Sequence, residues 1–234
     1  MAISVVDSGS TAAAATNGGD VALTVSSLAE NDLIIVMGGI GGSAAGTAGA
    51  TGNNSGAFQS LFNNDAGANI FYVGWQRMGV TPDTSITCTG NGDAGDATAY
   101  ACITLRGASL DSPPTDATTT TASSTSTNPN PPSIDWSTAG TAVIAGALSE
   151  VNDAAIVAPS GYSTATVWTD NGNDTEDATV GIAYLLAPAD PEDPAAFTSW
   201  GSGLWQAATV AIKPAPVSAN VPASYHHKHH NLAG

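Results

Sequence analysis

Residues 99–105 read Ala-Tyr-Ala-Cys-Ile-Thr-Leu, and residues 204–212 read Leu-Trp-Gln-Ala-Ala-Thr-Val-Ala-Ile. Both runs have the length of a strand, contain no glycine or proline, and carry aromatic or β-branched side chains, which predicts β-strands. A single cation follows each run, Arg106 in the first case and Lys213 in the second. The two strands therefore close two comparable halves of the chain.

Other apolar runs of strand length recur along the sequence, separated by Gly, Ala, Ser, Thr and Asn. They are residues 21–25, 32–37, 70–75, 85–88, 141–148, 154–157, 164–168 and 180–186. No segment keeps a helical period over ten residues without interruption by Gly, Pro or Thr. We therefore expect little helix.

An internal repeat relates the halves. Residues 72–105 and 183–215 each run through a strand, a proline-containing turn, a polar stretch and a closing strand. Two halves sharing one core predict an all-β, jelly-roll-like antiparallel β-sandwich over residues 1–214. The Thr/Ser/Pro-rich tract 112–133 would be its long surface connection. We expect both termini to form extended arms, the C-terminal one over residues 215–234. The alternative is a chance likeness, because any all-β chain yields similar alignments.

Charge and the scarcity of bases exclude several functional classes. The 234-residue chain has 4 Lys+Arg against 20 Asp+Glu and a net charge of -16, which repels nucleic acid and anionic membranes. No lysine precedes Lys213 and no histidine precedes His226, so a Ser-His-Asp triad cannot form in the body. The N-terminus has no positive region or long apolar run, and we expect cytoplasmic synthesis without a signal peptide.

The two cysteines, Cys88 and Cys102, are too few for a disulfide scaffold or a zinc site. A hairpin turning through residues 91–96 would place them opposite each other, within reach of a disulfide. Cytoplasmic synthesis favours two buried, inert thiols instead. Both alternatives stay open from the sequence.

Two kinds of candidate site are weak. The glycine-rich stretch 38–43 lacks the lysine of a phosphate-binding loop, so we expect a flexible loop. Paired carboxylates could support glycoside hydrolysis; the glutamates are Glu30, Glu150, Glu176 and Glu192, which we interpret as solvated loop residues. The sequence predicts no catalytic residue and no cofactor.

The densest group of oxygen ligands lies in residues 170–177. A structural divalent metal such as calcium would use Asp170, Asn173 and Asp174, although the spacing matches no EF-hand. A polar hairpin turn is the simpler interpretation.

Five tryptophans offer either core packing or a stacking platform for sugars. Apolar neighbours assign Trp75 and Trp205 to the core, and leave Trp136, Trp168 and Trp200 as surface or subunit contacts.

The C-terminal arm differs in kind from the body. Prolines impose an extended path, and we expect a neighbouring subunit to hold the arm through Pro216, Pro222, Tyr225 and Leu232. The four histidines form a second candidate metal or pH-sensitive site, comprising His226, His227, His229 and His230.

Several strand patterns resemble a diffuse group of tailed-bacteriophage virion proteins. They are residues 19–25, 31–36, 74–79, 99–108 and 205–214. The resemblance implies a β-sandwich component of the head surface or tail and assigns no functional residue. With the composition, it predicts a non-enzymatic virion protein, a capsid decoration (cement) protein that contacts the major capsid protein and copies of itself. The alternatives are a tail or fibre component or carbohydrate-binding module that contacts a host glycan, and a secreted polysaccharide-active enzyme.

Overall fold

The computed structural model describes residues 2–7, 11–14, 18–42, 46–67, 69–91, 96–151, 156–167 and 177–216. Within these ranges the chain forms β-strands and no helix. The strands are β1 (Ser4–Asp7), β2 (Thr11–Ala14), β3 (Val21–Thr24), β4 (Leu33–Gly41), β5 (Gly49–Gly52), β6 (Gly56–Ala57), β7 (Gln59–Asp65), β8 (Asn69–Arg77), β9 (Ser85–Thr89), β10 (Ala97–Arg106), β11 (Thr120–Ser124), β12 (Ala142–Ser149), β13 (Ser163–Val167), β14 (Thr179–Leu186) and β15 (Trp205–Ile212).

Three antiparallel sheets stack in layers. The central sheet has the order β1-β10-β4-β8-β7, with β2 also paired to β10. The C-terminal sheet has the order β11-β15-β12-β14-β13 and packs on one face of the central sheet. The cover sheet, β3-β9-β5-β6, packs on the other face. The predicted all-β antiparallel sandwich is confirmed. It has three layers, whereas two halves that share one core require only two.

The central and C-terminal sheets share one strand order. Counted along the chain within each sheet, the main path runs first, fifth, second, fourth, third. Across the interface β4 contacts β12, β8 contacts β15 and β10 contacts β14. The second strands of the two sheets, β4 and β12, face each other. The fourth strand of each sheet faces the fifth strand of the other, and a two-fold rotation between the sheets would give this pattern.

Strand β4 is buried along its whole length because it has a sheet on both sides. Leu33, Ile35 and Met37 lie in the core shared with the C-terminal sheet, while Ile34 and Val36 lie in the core shared with the cover sheet. Each fully buried side chain of this size contributes about 1.5–3 kcal/mol. Burial on both faces explains why the sequence of this strand is continuously apolar.

The expectation of a flexible glycine loop at 38–43 is wrong over residues 38–41, since β4 continues to Gly41. Gly38 and Gly39 have φ angles of 147° and 157°. A Cβ atom on Gly38 would overlap the carbonyl oxygen of Ala99, and one on Gly39 that of Ile70. The glycines therefore allow neighbouring strands to approach closely.

The hairpin that would pair the cysteines is also wrong. Strand β9 belongs to the cover sheet and β10 to the central sheet. Cys88 pairs in register with Val21 and Ala50, and Cys102 with Val36. Both thiols are reduced and lie in the core between the two sheets. Burial raises the pKa of Cys88 well above its usual value, which suppresses thiolate reactivity.

Two connections differ from expectation. The tract 112–133 contains β11, because its small Thr, Ala and Ser side chains can alternate between the sheet face and solvent at the edge of the C-terminal sheet. Within the expected strand 154–157, the described Val157 makes only a single bridge to Thr198. In the described ranges there is no helix long and apolar enough to span a membrane.

Candidate assembly surface

The three described basic side chains meet at one end of the sandwich. Strand β4 begins there, and β8, β10 and β15 end there. Arg77 donates to the carbonyl oxygens of Asn31 and Ser109. Arg106 and Lys213 each form an ion pair in the same region. The described cations therefore hold chain segments together, and we call this region the basic end.

The ion pair between Arg106 and Asp32 is bidentate. The guanidinium donates from Nε to Oδ1 over 2.8 Å and from Nη2 to Oδ2 over 2.7 Å. Asp32 is 1% exposed and also accepts the Ala29 N–H at 2.7 Å, whereas the Arg106 side chain is 46% exposed. The fork geometry of arginine suits this carboxylate. The pair ties the start of β4 to the end of β10.

Lys213 joins the ends of the two halves. Its Nζ lies 3.0 Å from the Oδ2 atom of Asp111, and its hydrogen bond holds the pKa of Asp111 below the ordinary value. Its main chain accepts the Ser109 N–H at 2.7 Å, and Ala215 N–H donates to Gly107 O over 2.7 Å. Residues 107–111, which follow Arg106, are thus bonded directly to residues 213–215.

The two ends of the described chain emerge side by side. Ala2 lines the same recess as residues 138–140 and 214–216, with a volume of about 310 Å³. Pro216 is exposed at its rim. Ala2 and Pro216 therefore lie at the same surface, and the N-terminus is not an extended arm over residues 4–7, which form β1.

Asp116 fixes the loop that forms one wall of this recess. It accepts hydrogen bonds from the N–H of Ser137 at 3.1 Å, and from the N–H and hydroxyl of Thr138 at 2.6 and 2.9 Å. Burial alone would raise the pKa of Asp116, but these hydrogen bonds outweigh it and hold the pKa below its ordinary value.

Most of the predicted site residues lie outside the described residues. They are Asp170, Asn173, Asp174, Pro222, Tyr225, His226, His227, His229, His230 and Leu232. Pro216 is described and exposed at the basic end. Within the described ranges, no three His, Cys, Asp or Glu side chains come together as metal ligands would.

The glutamates have separate local roles. Glu30 is exposed and lines a shallow recess beside Arg106. Glu150 accepts the Leu204 N–H at 3.0 Å, and Glu192 accepts the Tyr162 hydroxyl at 3.3 Å. Glu176 lies outside the described residues. Glu150 and Glu192 therefore position loops around the C-terminal sheet.

Trp75 and Trp205 are buried, as predicted. The interpretation of Trp200 as a surface or subunit contact is wrong, because it is 3% exposed and packs edge-on against Phe197 with ring centroids 5.5 Å apart. Loop residues cover the outer face of the C-terminal sheet there. The polar neighbours of Trp200 in the sequence do not indicate this burial. Trp136 is half-buried, and Trp168 lies outside the described side chains.

A buried polar cluster was not anticipated from sequence. Gln206 donates to Asn69 Oδ1 over 2.6 Å, and Asn64 donates to Gln206 Oε1 over 2.8 Å. Single amides within apolar strands were the available signal, since Asn and Gln are rarely buried without partners.

Comparison with known proteins gives little. No family model and no curated protein matches the chain. One solved chain comes from the atomic structure of Sulfolobus Turreted Icosahedral Virus, with 12% identity over 91% of this chain and 90% of that chain and a TM-score of 0.26. A second is the STIV MCP, with 11% identity over 95% and 99% and a TM-score of 0.24. Likeness at this level carries no conclusion about fold or function.

Proposed function

We propose that this chain is a non-enzymatic structural protein of a virus particle, and specifically a capsid decoration protein of a tailed bacteriophage. The observation that carries the proposal is the basic end. All three described cations there serve contacts within the chain, and both ends of the described chain leave from the same surface.

The mechanism is passive. The sandwich sits on the shell, and the C-terminal segment reaches neighbouring subunits and the major capsid protein. Many symmetric copies then multiply weak contacts into a stable coat. The predicted contacts Pro222, Tyr225 and Leu232, and the four histidines, belong to the segment that continues from Pro216.

Truncation tests the arm. Removing residues 217–234 leaves β15 and the bonds of Ala215 intact, so the protein should fold with an unchanged circular dichroism spectrum. In co-sedimentation with undecorated shells, the affinity of the truncated protein for the shells should be at least tenfold lower than that of the full-length protein. Equal binding by the truncated and full-length proteins would contradict the arm model.

An assay with polysaccharides tests the non-enzymatic proposal. Purified protein should release no reducing ends from a panel of bacterial surface polysaccharides. Release by the wild type that disappears in E150A or E192A would instead make the protein a glycan-degrading enzyme.

A host-glycan contact is the second candidate. Trp136, which is half-buried, and Asp190, which is exposed, line one recess of about 430 Å³. An aromatic face beside a carboxylate suits a sugar ring. A glycan array would support this candidate if binding were lost in W136A. Absence of binding by the wild type would remove it.

A further inference from the structure

The outer edges of the described sheets are not equally protected against pairing with another chain. Exposed edge strands are normally blunted by bulges, charges, prolines or short length. Strands β1, β7 and β13 each contain a register break. Strand β6 has two residues, and the four-residue strands β2 and β3 lie against each other.

Strand β11 has none of these features. It pairs with β15 in unbroken register over all five of its residues, Thr120-Thr121-Ala122-Ser123-Ser124. It contains no charge and no proline, and the sequence around it is uncharged from residue 117 to residue 134. Thr121 and Ser123 are exposed, and they line an open groove together with Phe62 and Asn64 of β7 and Gln206 of β15. The edge is therefore regular, uncharged and reachable.

Charge selects what this edge can pair with. The chain carries a net charge of -16, so most surfaces of two copies repel each other. Residues 117–134 bring no carboxylate to such a contact, so two copies can meet there without repulsion from this segment. Small Thr, Ala and Ser side chains also allow close approach of two backbones.

We propose that β11 pairs antiparallel with β11 of a second copy, about a two-fold axis at Ala122. The pairing would extend the five-stranded C-terminal sheet into a continuous ten-stranded sheet. The symmetry places Thr121 opposite the partner's Ser123. This inference rests on the proposed function, because assembly on a shell is what brings many copies of the chain close together.

Paired lysines test the contact. In T121K/S123K each new lysine faces a lysine of the second copy, and like charges directly opposite destabilise a strand pair. The matched control is A22K/T24K, at two exposed alternate positions of β3. Both variants reduce the overall negative charge equally, so general repulsion cannot explain a difference between them.

Sedimentation equilibrium of the full-length protein measures the result. We expect the wild type and A22K/T24K to dimerise at high concentration, and the dissociation constant of T121K/S123K to rise at least tenfold. Unfolding midpoints of the variants check that each still folds. A monomeric wild type, or equal association of the two variants, would overturn the inference.

Crosslinking tests the register. T121C and S123C mixed under mild oxidation should give a covalent dimer, whereas each alone should give little, because identical positions lie diagonally apart. Cys88 and Cys102 are buried and do not compete. Equal crosslinking by T121C alone would overturn the register. Shell binding is measured separately, so a dimer that fails to bind shells contradicts the proposed function and leaves the strand pairing standing.

Discussion

Gln206 in the C-terminal sheet donates a hydrogen bond to Oδ1 of Asn69 in the central sheet over 2.6 Å, and both residues are buried. The same Gln206 nitrogen also lies 3.1 Å from the carbonyl oxygens of Asn64 and Asn69. Asn69 in turn donates to Leu204 O over 2.9 Å. This cluster fixes the register of one sheet on the other, which apolar packing alone does not specify.

Replacing Gln206 with leucine should lower the free energy of unfolding by about 2–3 kcal/mol, because several buried oxygens lose their donor. Urea denaturation measures the change. Q59L is the matched control, since Gln59 is exposed on β7. An equal effect of the two substitutions would show that the cluster does not contribute to stability.

The class of fold was predictable from sequence because strand length, β-branched content and the absence of helical periodicity are local properties. The closing strands 97–106 and 205–212 were therefore found nearly complete. The third layer was not predictable. Whether β9 pairs with β10 or with β3 depends on contacts between residues distant in sequence. The hairpin expected around residues 91–96 was inferred from neighbouring residues alone.

The basic end was predictable only in part. Arg106 and Lys213 stood out as equivalent cations after equivalent strands, but their partners Asp32 and Asp111 could not be chosen among twenty carboxylates. The same limit applied to Trp200, whose burial depends on loops that fold back over the C-terminal sheet.

A Cβ atom at Gly38 should be strongly destabilising. In G38A the new methyl group meets the Ala99 carbonyl oxygen and the Tyr100 backbone, neither of which can move without breaking the central sheet. We expect a loss of about 3 kcal/mol. G79A is the control, because nothing lies within 4 Å of its Cβ position. Comparable thermal midpoints for the two variants would contradict this account.

Removal of Arg106 should destabilise the protein more than removal of Lys213. R106A leaves the Asp32 carboxylate buried, with the Ala29 N–H as its one remaining donor among the described residues, whereas Asp111 is exposed and water can replace Lys213. Urea midpoints of R106A and K213A give the order directly. A larger effect for K213A would place the principal constraint of the basic end between residues 107–111 and 213–215 instead.

Alkylation of Cys88 should report unfolding. Burial raises the pKa of this thiol well above its usual value, so the reactive thiolate is scarce in the folded protein at pH 8. Iodoacetamide should modify Cys88 only at urea concentrations that unfold the core. Mass spectrometry of the labelled peptide follows the reaction, and rapid labelling without urea would contradict the burial between the central and cover sheets.

The Asp116 hydrogen bonds should make stability depend on acid. The pKa of this carboxyl is lowered in the folded protein, so its contribution is complete above the unfolded value of about 3.9 and is lost as the pH falls through the folded value. D116N should therefore be less stable than the wild type at pH 7 and pH 5 by equal amounts, and the difference should narrow at pH 3. Urea midpoints at the three pH values measure it, with D193N, at an exposed position, as the control. A stability difference that widened in acid would mean that the charged Asp116 carboxylate does not stabilise the loop beside Pro214 and Pro216. The recess at the basic end would then have to be held by the Lys213 contacts alone.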